Sequence, residues 1–212
     1  MRLENIYKAV NNGDAATVKA EVQAALAEGI SAEEILHKAC IPAMDEVGRQ
    51  FEIGEKFVPE MLISARAMQG AVDILRPLLV EAGVETIGTV VLGTVAGDLH
   101  DIGKNLVGMM LEGAGFEIID LGSNVSADKF VEAIKTHQPS IVGMSALLTT
   151  TMPAISSTIE AIKAAGVREQ VKVMVGGAPV NRDFANKVGA DGFAPDAGSA
   201  ARVAKALLGI AD

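Results

Sequence analysis

The hydrophobic positions change their period near residue 85. Before it the spacing is helical. Leu3, Ile6 and Val10 fall on one face. Asp14 is placed to cap a second helix that runs toward Gly29, a glycine stop. Ser31 and Glu34 have the spacing of a capping box, with Ile30 and Ile35 flanking it as a hydrophobic staple. Pro42 either interrupts the following helix or starts a new one. Pro59 suits the first turn of a long helix that continues to about Glu81 and ends near Gly83. Residues 1–84 are therefore expected to form a small helical bundle with short connections.

After residue 85 short apolar runs alternate with amphipathic stretches. Strands are predicted at Thr86–Gly93, Phe116–Leu121, Ser140–Ser145, Val171–Val175 and near Gly192-Phe193. Helices are predicted at Gly103–Gly113, from Ser126 to about His137, from near Thr151 to Ala165, at Arg182–Val188, and after a cap at Asp196. Apolar strands separated by helices read as a parallel sheet covered on both faces. The expected architecture is α/β: an N-terminal helical bundle, then a flavodoxin-like, doubly wound, five-stranded parallel sheet over residues 85–212. In that fold ligands bind beyond the carboxyl ends of the strands, at the switch point.

Composition narrows the chemistry. Half of the 212 residues are apolar but only 3% are aromatic, so the core must be aliphatic. A net charge of −9 argues against nucleic acid and against an anionic membrane surface as partners. No apolar run is long enough to span a bilayer, and the first residues lack the apolar centre of a secretion signal. A single cysteine, Cys40, excludes a disulfide framework and fits a reducing cytoplasm.

The distinctive residues fall where predicted strands end. The first strand leads into Gly97-Asp98-Leu99-His100-Asp101-Ile102-Gly103, the third into Ser145-Ala146-Leu147-Leu148-Thr149-Thr150-Thr151, the fourth into Gly176-Gly177-Ala178-Pro179, and the fifth into Ala194-Pro195-Asp196-Ala197. His100 is the one histidine expected on that rim, since His37 and His137 lie on helical segments. One imidazole cannot hold a bare zinc ion, which takes three or four protein ligands, but it suits an axial position of a metal already held by a macrocycle. Asp98, two residues earlier, can accept the other ring N–H and raise the ligand's basicity. Gly93, Gly97, Gly103, Gly176 and Gly177 are expected to clear space for a ligand, or to serve tight helix-sheet packing. Ser145, Thr149 and Thr151 offer hydroxyls beside that space, or caps for the next helix.

Asp98-x-His100-x-x-Gly103, Ser145-x-Leu147 and Gly176-Gly177 together resemble the signature of corrinoid-binding domains. The segments Phe51–Pro59 and Ser64–Met68 are similar to the helical cap of methionine synthase and of the corrinoid proteins of methanol, methylamine and O-demethylation systems. The resemblance covers essentially the whole chain. It implies a cobalamin or related corrinoid, with His100 as the lower cobalt ligand and Asp98 and Thr151 continuing a relay from it. Leu99, Asp101, Ile102 and Gly103 would contact the cofactor around His100. Ser145, Leu147, Thr149, Gly176, Gly177, Ala178, Asp196 and Ala197 would line the slot for its nucleotide tail, and Phe51 and Val58 would cover its upper, methyl-bearing face. Phe193 stands where relatives often carry Tyr.

The implied role is a methyl carrier on cobalt. It would serve a substrate:corrinoid methyltransferase and a corrinoid:folate or corrinoid:thiol methyltransferase, with a reductive activator. Rival readings are the small subunit of an adenosylcobalamin-dependent mutase, a cobalamin storage or sensing module, and a signalling module with a chance motif. The helical N-terminal half weighs against the mutase, and the lack of a basic DNA-binding segment against a sensor.

Overall fold

The structure, a computed structural model, describes every residue except Glu85, Ala211 and Asp212. It divides into two compact units, Met1–Thr86 with Gly113–Gly115, and Ile87–Glu112 with Phe116–Asp212.

The first unit is helical: α1 Arg2–Asn11, α2 Ala15–Ala27, α3 Ala32–Ile35, α4 Ile41–Glu52 and α5 Val58–Glu81. Ile6 and Val10 of α1, Val18 and Val22 of α2, Met44 and Val47 of α4, and Met61, Met68 and Leu75 of α5 are buried in its core. Asp14 caps α2 by accepting the Thr17 N–H at 3.0 Å. Gly29 and Gly83 take the left-handed conformation just past the ends of α2 and α5. The capping box at α3 is half made. Ser31 Oγ accepts the Glu34 N–H, while the Glu34 carboxylate pairs with Lys38 at 2.8 Å. Pro42 begins α4. Residues 36–40 before it form one π-turn, in which the Ile41 N–H reaches back five residues to the Leu36 carbonyl. A proline has no N–H for the α-ladder and crowds the preceding turn, and the wider turn accommodates both effects.

The second unit is a five-stranded parallel sheet, β1 Thr89–Thr94, β2 Glu117–Asp120, β3 Ile141–Ser145, β4 Lys172–Gly176 and β5 Gly192–Phe193, in the order β2-β1-β3-β4-β5. Its helices are α6 Ile102–Gly113, α7 Ala127–His137, α8 Met152–Ala164, α9 Arg182–Val188 and α10 Ala197–Leu207. β1 and β3 pair directly, Val90 opposite Ile141 through Thr94 opposite Ser145. The chain leaves β1 toward one edge and returns to β3 on the other side, so the loops after these two strands diverge. That is the switch point of the fold.

Two glycines lie inside strands for packing reasons. A Cβ on Gly143 would stand 2.4 Å from the Leu92 side chain, and one on Gly93 would stand 2.6 Å from the Phe130 ring. The space beside Gly93, expected from the sequence to admit a ligand, is thus taken by Phe130. The first strand also starts three residues later than predicted and runs through Gly93 to Thr94, because its pairing begins only where Thr89 meets Glu117.

Candidate functional site

The loop between β1 and α6 carries Asp98 and His100. Asp98 is fully buried. A buried carboxylate must be surrounded by donors, and five reach this one. Its Oδ1 accepts the His100 backbone N–H at 3.0 Å and the His100 ring nitrogen Nδ1 at 2.7 Å. Its Oδ2 accepts the Leu147 N–H at 2.7 Å, the Leu148 N–H at 3.4 Å and the Thr151 hydroxyl at 2.7 Å. Burial opposes the charge. The Thr151 hydroxyl, the backbone N–H groups of His100 and Leu147, and the imidazole outweigh it and hold the carboxyl well below the usual carboxylate range.

An ionised carboxylate only accepts, so Nδ1 of His100 carries a proton, and in the neutral imidazole the lone pair lies on Nε2. The His100 side chain is 51% exposed. The arrangement is a preset imidazole ligand: oriented through Nδ1, available through Nε2, and backed by a buried negative charge. Large apolar side chains stand exposed on the same two loops, with Leu99 at 72% and Ile102 at 75%, and Leu147 and Leu148 nearly half exposed. An apolar surface of this kind marks a binding site. One available imidazole nitrogen amid exposed leucine and isoleucine would suit a large macrocycle with a central metal. Among the described residues no group of three or more His, Cys, Asp or Glu could hold a bare metal ion.

The sequence offers Thr151 either as a helix cap or as a site residue. It stands just before α8, but its hydroxyl goes to Asp98 and is also 2.9 Å from the Leu148 carbonyl. Asp101 is half-buried and Gly103 is exposed, with nothing within 4 Å of where its Cβ would lie. Ser145 ends β3 half-buried, its carbonyl accepting the Val95 N–H, and Thr149 is exposed. Gly176 ends β4 and Gly177 follows it, where backbones crowd. A Cβ on Gly177 would lie 1.9 Å from the Ala146 carbonyl oxygen. Ala178 is exposed. Asp196 caps α10, accepting the Ser199 N–H at 2.8 Å, and Ala197 is buried as the first residue of that helix. The Phe193 ring lies under the Arg182 guanidinium, 5.4 Å from its carbon. In the other unit, Phe51 is half-buried near the end of α4 and Val58 is exposed at the start of α5.

Sequence reasoning missed Thr94, Lys104, Asp120 and Asn124. Thr94 is buried and donates its hydroxyl to the His100 carbonyl at 3.1 Å. Lys104 had a readable signal: it shares a helical face with the buried Gly108 and Leu111, where an unpaired lysine is not expected.

Comparison with known proteins places this geometry. Residues 88–204 and residues 2–76 each match a family described as B12 binding domain. The chain belongs to the B12-binding family, whose cofactor is cobalamin or a related corrinoid. Within it the chain groups with corrinoid proteins of methyltransferase systems. It is 44% identical to the trimethylamine corrinoid protein of Methanosarcina barkeri over 188 residues, 88% of this chain and 87% of that one. Among solved structures it is similar to a cobalamin-binding protein from Desulfitobacterium hafniense DCB-2, with TM-score 0.83 and 34% identity over 97% of this chain and 98% of that one. It is also similar to a chain of the methanol:cobalamin methyltransferase complex MtaBC from Methanosarcina barkeri, with TM-score 0.85 and 30% identity over 98% of this chain and 80% of that one. Among the described residues no helix is long and apolar enough to cross a membrane.

Proposed function

We propose that the chain carries a methyl group on a protein-bound corrinoid, with His100 as the lower ligand of the cobalt. In this reading it accepts the methyl group from a substrate:corrinoid methyltransferase and delivers it to a corrinoid:folate or corrinoid:thiol methyltransferase, in the cytoplasm and with a reductive activator. The similarity to a trimethylamine corrinoid protein favours methylamines over methanol as the donor class. When bound, the corrinoid supplies a cobalt centre that takes up and releases the methyl group. The chain's own residues bind it, orient one imidazole and hold a proton at Nδ1. Gly176, Gly177, Ala178, Ser145, Thr149, Asp196 and Ala197 are assigned the neighbourhood of the cofactor's tail, and Leu99, Asp101, Ile102, Gly103 and Leu147 its contacts near His100.

The observation that carries the reading is the 2.7 Å bond from His100 Nδ1 to buried Asp98, which orients the ring and leaves Nε2 free of that bond for a metal. In protein loaded with cob(II)alamin, His100→Ala is expected to remove the nitrogen hyperfine coupling seen by electron paramagnetic resonance. Retained coupling would refute the ligand assignment. Methyl transfer from trimethylamine, dimethylamine and methanol, each with its own methyltransferase, tests the donor class.

Phe51 and Val58 are assigned the shielding of the reactive cofactor. Support comes from the exposed apolar residues of the helical unit, Phe57 at 64% being the largest side chain among them. Phe51→Ala is expected to speed air oxidation of the reduced, loaded protein severalfold, because the ring is removed without an obligatory core cavity. Stopped-flow absorbance under matched oxygen reads this, and unchanged rates count against shielding.

A further inference from the structure

We propose that the segment Asp120–Asn124, at the end of β2 and just beyond it, is the positioning element for the His100 loop, with Asn124 and the Lys104–Asp120 pair as positioning residues. The inference rests on His100 being the cobalt ligand, and concerns what keeps that ligand in place.

The Asp98 bonds orient the imidazole and tie its loop to the loop after β3, but they do not fix the loop against the end of β2. The segment after β2 does so from both sides of His100. Parallel pairing continues past the end of β2. The Thr94 N–H donates to the Gly122 carbonyl, the Val125 N–H to the Thr94 carbonyl, and Val95 forms a bridge with Val125. Asn124 then grips the motif twice. Its side-chain Oδ1 accepts the Gly97 N–H at 2.8 Å, and its backbone N–H donates to the Asp98 carbonyl at 2.9 Å. Since Gly97 presents a donor, the amide oxygen of Asn124 must face it, which settles the orientation of the side chain. Asn124 adopts φ +54°, a left-handed conformation that asparagine tolerates better than most residues.

On the far side of His100, Lys104 is buried and its ammonium group meets both oxygens of Asp120. The Asp120 carboxylate also accepts the Gly122 N–H at 2.8 Å, so the pair ties the first turn of α6 to the same five-residue segment. A buried ammonium ion with its partner removed is strongly unfavourable, which makes this tie hard to break locally. Gly97 and Asp98 before the ligand, and Lys104 after it, are thus held by one short stretch that contributes no side chain to the Asp98–His100–Thr151 cluster.

The test uses full-length protein and cob(II)alamin as probe. Asn124→Gly keeps the left-handed backbone available and removes only the side-chain acceptor. Asn124→Asp keeps an acceptor in place. Removing a group that orients a metal ligand from outside its contact shell costs about tenfold or more in affinity. Asn124→Gly is therefore expected to weaken cob(II)alamin binding about tenfold and to lower the fraction of cobalt showing histidine nitrogen coupling, and Asn124→Asp should recover both. Amide exchange at Leu99 and His100 in the cofactor-free protein should quicken in Asn124→Gly alone. Wild-type affinity and coupling in Asn124→Gly, or an equal loss in Asn124→Asp, overturns the inference. His100→Ala separates the two levels of the argument. If it retains the coupling, the ligand assignment fails. If it loses the coupling while Asn124→Gly behaves as wild type, only the positioning role fails.

Discussion

Gly177→Ala is expected to destabilise the cofactor-free protein by roughly 3–5 kcal/mol, a size reserved for steric conflict that nothing nearby can relieve. Two effects add. Gly177 has φ +118°, and its Cβ would lie 1.9 Å from the Ala146 oxygen, 2.8 Å from its carbonyl carbon and 3.1 Å from its nitrogen. All three are backbone atoms, so no rotamer change clears them. Ala146 N–H also bonds to the Gly176 carbonyl at 3.2 Å, which holds the two loops together. Relief requires Ala146 to move, and Leu147 moves with it, withdrawing an N–H from Asp98. For a chain of this length the destabilisation corresponds to a fall of about 10 °C in melting temperature. Gly166→Ala is the matched control. It has φ +72° with nothing within 4 Å, so it carries the left-handed cost alone, about 1 kcal/mol. Thermal melts of the two variants separate crowding from backbone preference. Equal melting temperatures would show that the Ala146 loop yields freely.

This pair of glycines also shows where a sequence stops being readable. Gly177 and Gly166 are the same letter, and only the approach of a distant carbonyl distinguishes them. Gly93 illustrates the same limit in reverse: it stands at a predicted strand end, yet its space is filled by Phe130 from α7. The order of the elements was legible because period and caps are local. Asp14, Ser126 and Asp196 each accept the N–H three residues on, as the helix starts predict. The His100–Asp98 contact was legible because both residues share one loop.

Thr151 came from resemblance, since its hydroxyl reaches a carboxylate 53 positions away. The N–H groups of Leu147 and Leu148 have no signature at all, because every residue but proline has one. Asn124 was silent for a similar reason. An asparagine in a loop is ordinary, and its role depends on the β2 end lying beside the β1 end. Cys40 is buried, and burial pushes its thiol up to about 12, which leaves it unreactive.

Asp98→Asn tests the centre of the site. Read from the sequence alone, the change spares cofactor binding and alters only the basicity of the imidazole. The five donors around the carboxylate point to a larger effect. An amide offers one oxygen where the site needs two. If its nitrogen takes the Oδ1 position it faces the His100 N–H, and if it takes the Oδ2 position it faces the Leu147 N–H. Either way a buried donor is left against another donor, and the protein is expected to lose about 2–4 kcal/mol of stability. The loop then no longer presents His100, so affinity for cob(II)alamin should fall together with stability. The pH dependence follows from the depressed pKa of Asp98 in the folded protein. Unfolded, the carboxyl titrates near its ordinary value of about 3.9. Its stabilising contribution is complete above that value and is lost as pH falls from there through the lower folded-state value. The stability gap between wild type and Asp98→Asn should therefore narrow as the pH falls from 5 to 3.5. Urea unfolding of the cofactor-free proteins at pH 7, 5 and 3.5 measures it. No gap at pH 7, or a gap that widens between pH 5 and 3.5, would mean that the buried carboxylate does not hold the loop together.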